Sequence, residues 1–184
     1  MHTFHFACSR LRAGALSIGL LAMAATGCGG DNGLPASMVG QSIMTPSVST
    51  VTVVNDGGGF TPAPPAGSKC LVGGRKFTLT VSTGDLTWRK CTGDGVVPYT
   101  EVSGGRALTS TELKDLTSLL EKLTVVKADG ACIADAPMLS VTVQTTLATQ
   151  QYVDDGFQCS VKDKPYLQRT AINDVLRMLE GYAK

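Results

Sequence analysis

Six cysteines, two histidines and a scatter of carboxylates are the residues of this chain with the clearest capacity for chemistry. The cysteines are Cys8, Cys28, Cys70, Cys91, Cys132 and Cys159. Both histidines, His2 and His5, stand ahead of an apolar run at residues 13–25. Everything after that run is free of histidine, which excludes Ser-His-Asp and Cys-His catalysis and His-ligated metal from that part. Carboxylate chemistry stays open, and Asp135, Asp154 and Asp155 are its candidates. An acidic doublet in a turn is ordinarily solvated, so Asp154-Asp155 is weak evidence by itself. The cysteines show no C-x-x-C spacing, so disulfides are expected rather than a metal site, and no metal or cofactor is expected.

The N-terminus decides how the cysteines divide. Arg10 and Arg12 precede AGALSIGLLAMAA, a charged segment followed by an apolar one, as in a secretory signal peptide. About 13 apolar residues make roughly 20 Å of helix, short of the roughly 30 Å hydrocarbon core of a bilayer. The run ends in Ala25-Thr26-Gly27-Cys28. This resembles the lipobox of bacterial lipoproteins, with Ala25 standing where leucine is usual. The resemblance covers residues 1–28 only. It implies cleavage before Cys28, acylation (palmitate or similar) of that cysteine on sulfur and amine, and a lipid anchor in the cell envelope. Gly29 after the cysteine points to the outer membrane. With Cys8 removed and Cys28 lipidated, Cys70, Cys91, Cys132 and Cys159 remain, an even set suited to two disulfides. Local pairing, 70 with 91 and 132 with 159, is the expected one.

Charge adds a negative result. Sixteen basic side chains face fifteen acidic ones, with no basic stripe and no acidic block. Nucleic acid is not an expected partner. The expected partners are the membrane, through the anchor, and an envelope protein or surface ligand.

The elements that must position these residues follow from periodicity. Residues 28–68 are rich in Gly, Pro, Ser and Thr and read as a flexible tether behind a 1–27 signal peptide. Within it SVSTVTVV, residues 47–54, is β-branched and has the composition of an edge strand. The stretch 75–90 alternates about a Ser-Thr-Gly-Asp turn and predicts a hairpin, with Phe77, Leu79, Leu86 and Trp88 inward. A Gly-rich loop, 92–106, follows, with Val97, Pro98 and Tyr99 as a candidate apolar binding tip and a short edge strand possible at 99–102. Thr109 and Glu112 form a capping box for a helix over 110–123. A second hairpin spans 138–153 and a second helix follows Pro165, ending near Gly181.

The order hairpin, helix, hairpin, helix predicts one α+β domain over 69–184. The expected form is a two-layer antiparallel sheet of two hairpins, with both helices on one face and disulfide staples. The expected function is a lipid-anchored, non-enzymatic binding or structural domain. Two alternatives are a protease or hydrolase inhibitor using loop 92–106, and a carboxylate-based hydrolase.

Overall fold

The segment SVSTVTVV forms the strand that joins the two halves of the sheet. In a computed structural model of the chain, residues 38–57, 71, 73–92, 100–127, 129 and 132–184 are described. All fall in the compact unit Asn32–Lys184. Strand β1 (Val48–Asn55) lies between β2 (Arg75–Thr80) and β6 (Leu139–Thr145), antiparallel to both. Val51 and Val53 are each 2% exposed. Within the expected tether over 28–68, residues 38–57 belong to the fold instead, so the expected 69–184 boundary is corrected to include them; residues 28–37 and 58–68 lie outside the described residues. The physical reason is that three β-branched residues on one face of β1, Val48, Val51 and Val53, bury together. The strand composition of 47–54 is visible in the sequence; its central place between β2 and β6 is not.

The first hairpin forms as expected. Strand β2 turns at residues 81–84 into β3 (Asp85–Thr92), and Gly84 takes a left-handed φ of 73° in that turn. Strand β4 (Thr100–Ala107) then pairs with β3 along its whole length. The stretch read as a loop to 106 is thus, from residue 100, a full edge strand. The second hairpin is β6 with β7 (Thr149–Asp154), ending in a 3-10 turn at Asp155–Phe157. Two short strands, β5 (Val125–Val126) and β8 (Tyr166–Leu167), complete the sheet. The order is β4-β3-β2-β1-β6-β7-β8-β5. The two expected hairpins are parts of one eight-stranded open sheet, antiparallel except at β7–β8.

Helix α1 (Ser110–Leu120) starts at the expected capping box: the Glu112 amide donates to Thr109 Oγ1 at 3.3 Å, and the Thr109 amide donates to Glu112 Oε2 at 2.8 Å. Helix α2 (Arg169–Tyr182) begins four residues later than Pro165, because Tyr166 and Leu167 pair with β5 first. Leu116 and Leu120 of α1 and Ile172, Val175, Leu176 and Leu179 of α2 are buried in one core with Val51, Val53, Phe77, Leu79, Val141 and Val143. The other faces of these strands carry polar side chains, as the period of two requires.

Cys132 and Cys159 form a disulfide, with Cα atoms 6.0 Å apart. It closes the segment that contains the β6–β7 hairpin. Cys91 is also disulfide-bonded, and its partner lies outside the described residues. Cys28, Cys70, Val97, Pro98 and Tyr99 lie outside them as well.

Candidate functional site

The acidic doublet has a structural task. Asp154 ends β7 with no exposed surface at all. Its Oδ2 accepts the Leu139 amide at 2.7 Å, and its Oδ1 accepts the Gly156 amide at 3.1 Å and Arg169 Nη1 at 3.0 Å. Arg169 Nη2 in turn donates to the Pro137 carbonyl at 2.9 Å. Asp155 accepts the Arg169 amide at 3.0 Å and so caps α2, whose own Gln168 supplies no side-chain cap. One ion pair thus ties together the start of β6, the end of β7 and the first turn of α2. The doublet is neither a solvated turn nor a free acid pair. Asp135 is exposed, at a left-handed φ of 58°, and stands apart from this bonding.

A second cluster of charge holds the end of the chain. Arg75 pairs with Glu180, Lys90 Nζ donates to the Ala183 carbonyl at 2.6 Å, and Arg106 Nε donates to the Tyr182 carbonyl at 3.0 Å. Three strands each direct one cation at the C-terminal end of α2, where carbonyls lack partners and the helix dipole is negative. Arg106 also lies 5.7 Å from the Tyr182 ring centroid and forks onto Glu112. The Arg106 hydrogen bond, then that of the Thr109 amide, lowers the Glu112 carboxyl to about 2.

The polar face of the sheet holds what is left for binding. Register places Gln151, Thr142, Thr52, Thr78 and Thr87 in one row across five strands. Thr52 and Thr78 share a hydroxyl hydrogen bond of 3.3 Å. The adjacent row contains Lys76, Arg89 and Ser103. A shallow trough of about 390 Å³ is lined by Lys76, Thr78, Thr87, Arg89 and Ser103, with Trp88 and Gly104 completing its wall. It adjoins an open concavity of about 270 Å³ lined by Asn55, Asp56, Arg75, Lys76, Arg89 and Glu101. Arg89 is engaged by Glu101 at 3.0 Å and 2.5 Å. Lys76 makes no ion pair among the described residues. The Asp56 side chain reaches solvent, yet lost hydration raises its carboxyl, against the opposing pull of the main chain at Met138.

Trp88, Arg89 and Lys90 are consecutive in the sequence. The pleat separates them: Trp88 packs against the core, Lys90 reaches the α2 end, and Arg89 faces the opposite side with Glu101. The Lys76–Thr87–Ser103 trough was not anticipated. Its signal, alternating polar residues on β2 and β3, is present in the sequence, but the joining of β4 is needed to close it.

No protein-family model, no curated protein and no solved structure matches this chain. Among the described residues no group of His, Cys, Asp and Glu is placed to hold a metal ion, and no helix is long and apolar enough to cross a membrane.

Proposed function

We propose that this chain is a lipid-anchored protein of the cell envelope, outer membrane rather than inner, whose domain binds a surface ligand and does no chemistry on it. The observation that carries the reading is the state of its acids. A hydrolase without histidine needs two convergent, accessible carboxylates. Asp154 is buried and saturated with hydrogen bonds, and Asp155 caps a helix. Neither lines the trough or the concavity on the polar face. That face offers hydroxyls, the Lys76 ammonium and two carboxylates, Asp56 and Glu101, of which Glu101 is already held by Arg89. A single remaining carboxylate beside a lysine suits binding of a polar ligand better than two-acid hydrolysis.

The N-terminal resemblance supports the anchor, and the position of β1 changes its meaning. If Cys28 is acylated, the stretch between it and Met38 is about ten residues, not forty. Such a stretch reaches at most about 35 Å when fully extended. The domain then works close to the bilayer surface, and its ligand belongs there too. The inhibitor alternative loses ground, because residues 100–106 of its loop are an edge strand within the sheet.

Two variants of the full chain test the reading. Cys28→Ser moves the protein from the membrane to the soluble fraction on flotation; unchanged flotation contradicts the anchor. In that unanchored background, Lys76→Glu lowers retention on isolated envelope fragments at least tenfold. Equal retention removes the polar face from the binding account.

A further inference from the structure

We propose that the outer edge of β4 is a self-pairing interface, on which a second copy of this chain extends the sheet antiparallel about Ser103. The two edges of the sheet are treated differently. At the far end β5 is two residues long, and the segment before β1 covers it: the Gly40 amide donates to the Val125 carbonyl at 2.8 Å, and the Val125 amide donates to Gln41 at 2.9 Å. Strand β4 has no such cover among the described residues. It runs eight residues without proline, lysine or bulge, in unbroken register with β3, and its two charged side chains, Glu101 and Arg106, are neutralised within the chain by Arg89 and Glu112 respectively. Natural edges are normally blunted by such devices.

Two hydrogen bonds reveal which way its backbone points. The Leu108 amide donates to Gly84 at 2.9 Å, and the Cys91 amide donates to Gly74 at 2.8 Å. Antiparallel ladders alternate, so the even-numbered residues of β4 bond to β3. Glu101, Ser103 and Gly105 then direct their N–H and C=O groups outward, with no partner among the described residues. The three are symmetric about Ser103. A two-fold axis there pairs Ser103 with itself and Glu101 with Gly105 of the second copy, satisfying all three.

The side chains agree with this register. Val102 is 47% exposed. The same axis sets it opposite Gly104 of the second copy. At Gly104 the Trp88 indole lies so close that a Cβ would come within 2.5 Å of Cζ2. Val102 of each copy therefore meets the other's Trp88, and an exposed apolar residue is covered twice over. Thr100 falls opposite Arg106, so no like charges face each other. A single strand pair buries less than the roughly 800 Å² per partner of a standard interface. Pairing is accordingly concentration-dependent. The anchored state proposed above would supply concentration by confining copies to one plane, but the pairing geometry does not depend on it.

The test is a cysteine at the axis. Paired residues of this ladder type lie about 5.5 Å apart at Cα, within the roughly 4.4–6.8 Å that a disulfide spans. The full chain carrying Ser103→Cys, oxidised mildly in its host membranes, is expected to run at twice its mass without reductant. Thr87→Cys, exposed on the same face one strand inward, is expected to stay monomeric. Adding Val102→Lys to Ser103→Cys is expected to cut the dimer yield at least fivefold. The proposal is overturned if Ser103→Cys stays monomeric, if Thr87→Cys dimerises equally, or if Ser103→Cys joins a protein of another mass. An unchanged yield with Val102→Lys overturns the register. Flotation of the same samples reports the anchor separately.

Discussion

Replacing Arg169 with leucine isolates the energetic role of the acidic doublet. The substitution keeps much of the side chain's bulk and removes the guanidinium. Asp154, with no exposed surface, then keeps the Leu139 and Gly156 amides and loses its only cation among the described residues. The Pro137 carbonyl loses a donor as well. Breaking a buried pair from one side costs about 3–5 kcal/mol, because a charge is left uncompensated. Two main-chain donors remain, so the lower end, about 3 kcal/mol, is expected. A small domain holds only about 5–15 kcal/mol in total. Urea titration followed by circular dichroism measures the loss as a lower midpoint at unchanged slope. Adding Asp154→Asn to Arg169→Leu removes the stranded charge and is expected to return about half of the loss. A loss under about 1 kcal/mol for Arg169→Leu refutes the fastening role. So does a gain in stability for Asp154→Asn alone, the behaviour of a strained functional acid.

Further substitutions probe other parts of the structure. Val53→Ala, at a position 2% exposed on a central strand, is expected to cost about 2 kcal/mol in the same titration; no change would return residues 47–54 to the tether. Cys132→Ser with Cys159→Ser opens a loop of sequence separation 27 and is expected to cost about 3–4 kcal/mol by chain entropy, read as a lower midpoint against the oxidised protein. Gly104→Ala pushes the indole of the single tryptophan outward, so fluorescence is expected to shift to the red; an unshifted spectrum contradicts the close packing. Glu112 has a folded pKa of about 2, below its ordinary 4.5. Its contribution to stability is therefore present above about pH 4.5 and lost as pH falls toward 2. Glu112→Gln should flatten stability across that window, and an unaltered acid limb would contradict the Arg106 pairing.

Periodicity made the local elements readable. The capping box at Thr109 and Glu112, the alternation of Phe77, Leu79 and Leu86, and the leucine and valine stripes of both helices depend only on near neighbours. The two structural surprises depend on distant partners. Nothing near Val48–Asn55 says that β2 and β6 lie on either side of it, so a β-branched stretch in a Gly-rich tether reads as an edge strand at most, not a central one. Nothing near Asp154 says that Arg169, fifteen residues on, will neutralise it. Likewise, Leu167 fits the stripe of the second helix by spacing, yet it pairs with Val125, as Tyr166 does with Val126. The polar trough was legible only in halves, because Ser103 reaches Lys76 and Thr87 through the register of β4.

The anchored reading is tested most directly by the intact mass of the native protein extracted from its host's membranes, before and after reduction. The account predicts a chain that begins at Cys28, carries the added mass of acyl groups, and gains two hydrogen atoms for each disulfide reduced. A chain that begins elsewhere, bears no lipid and is recovered from the medium would contradict it.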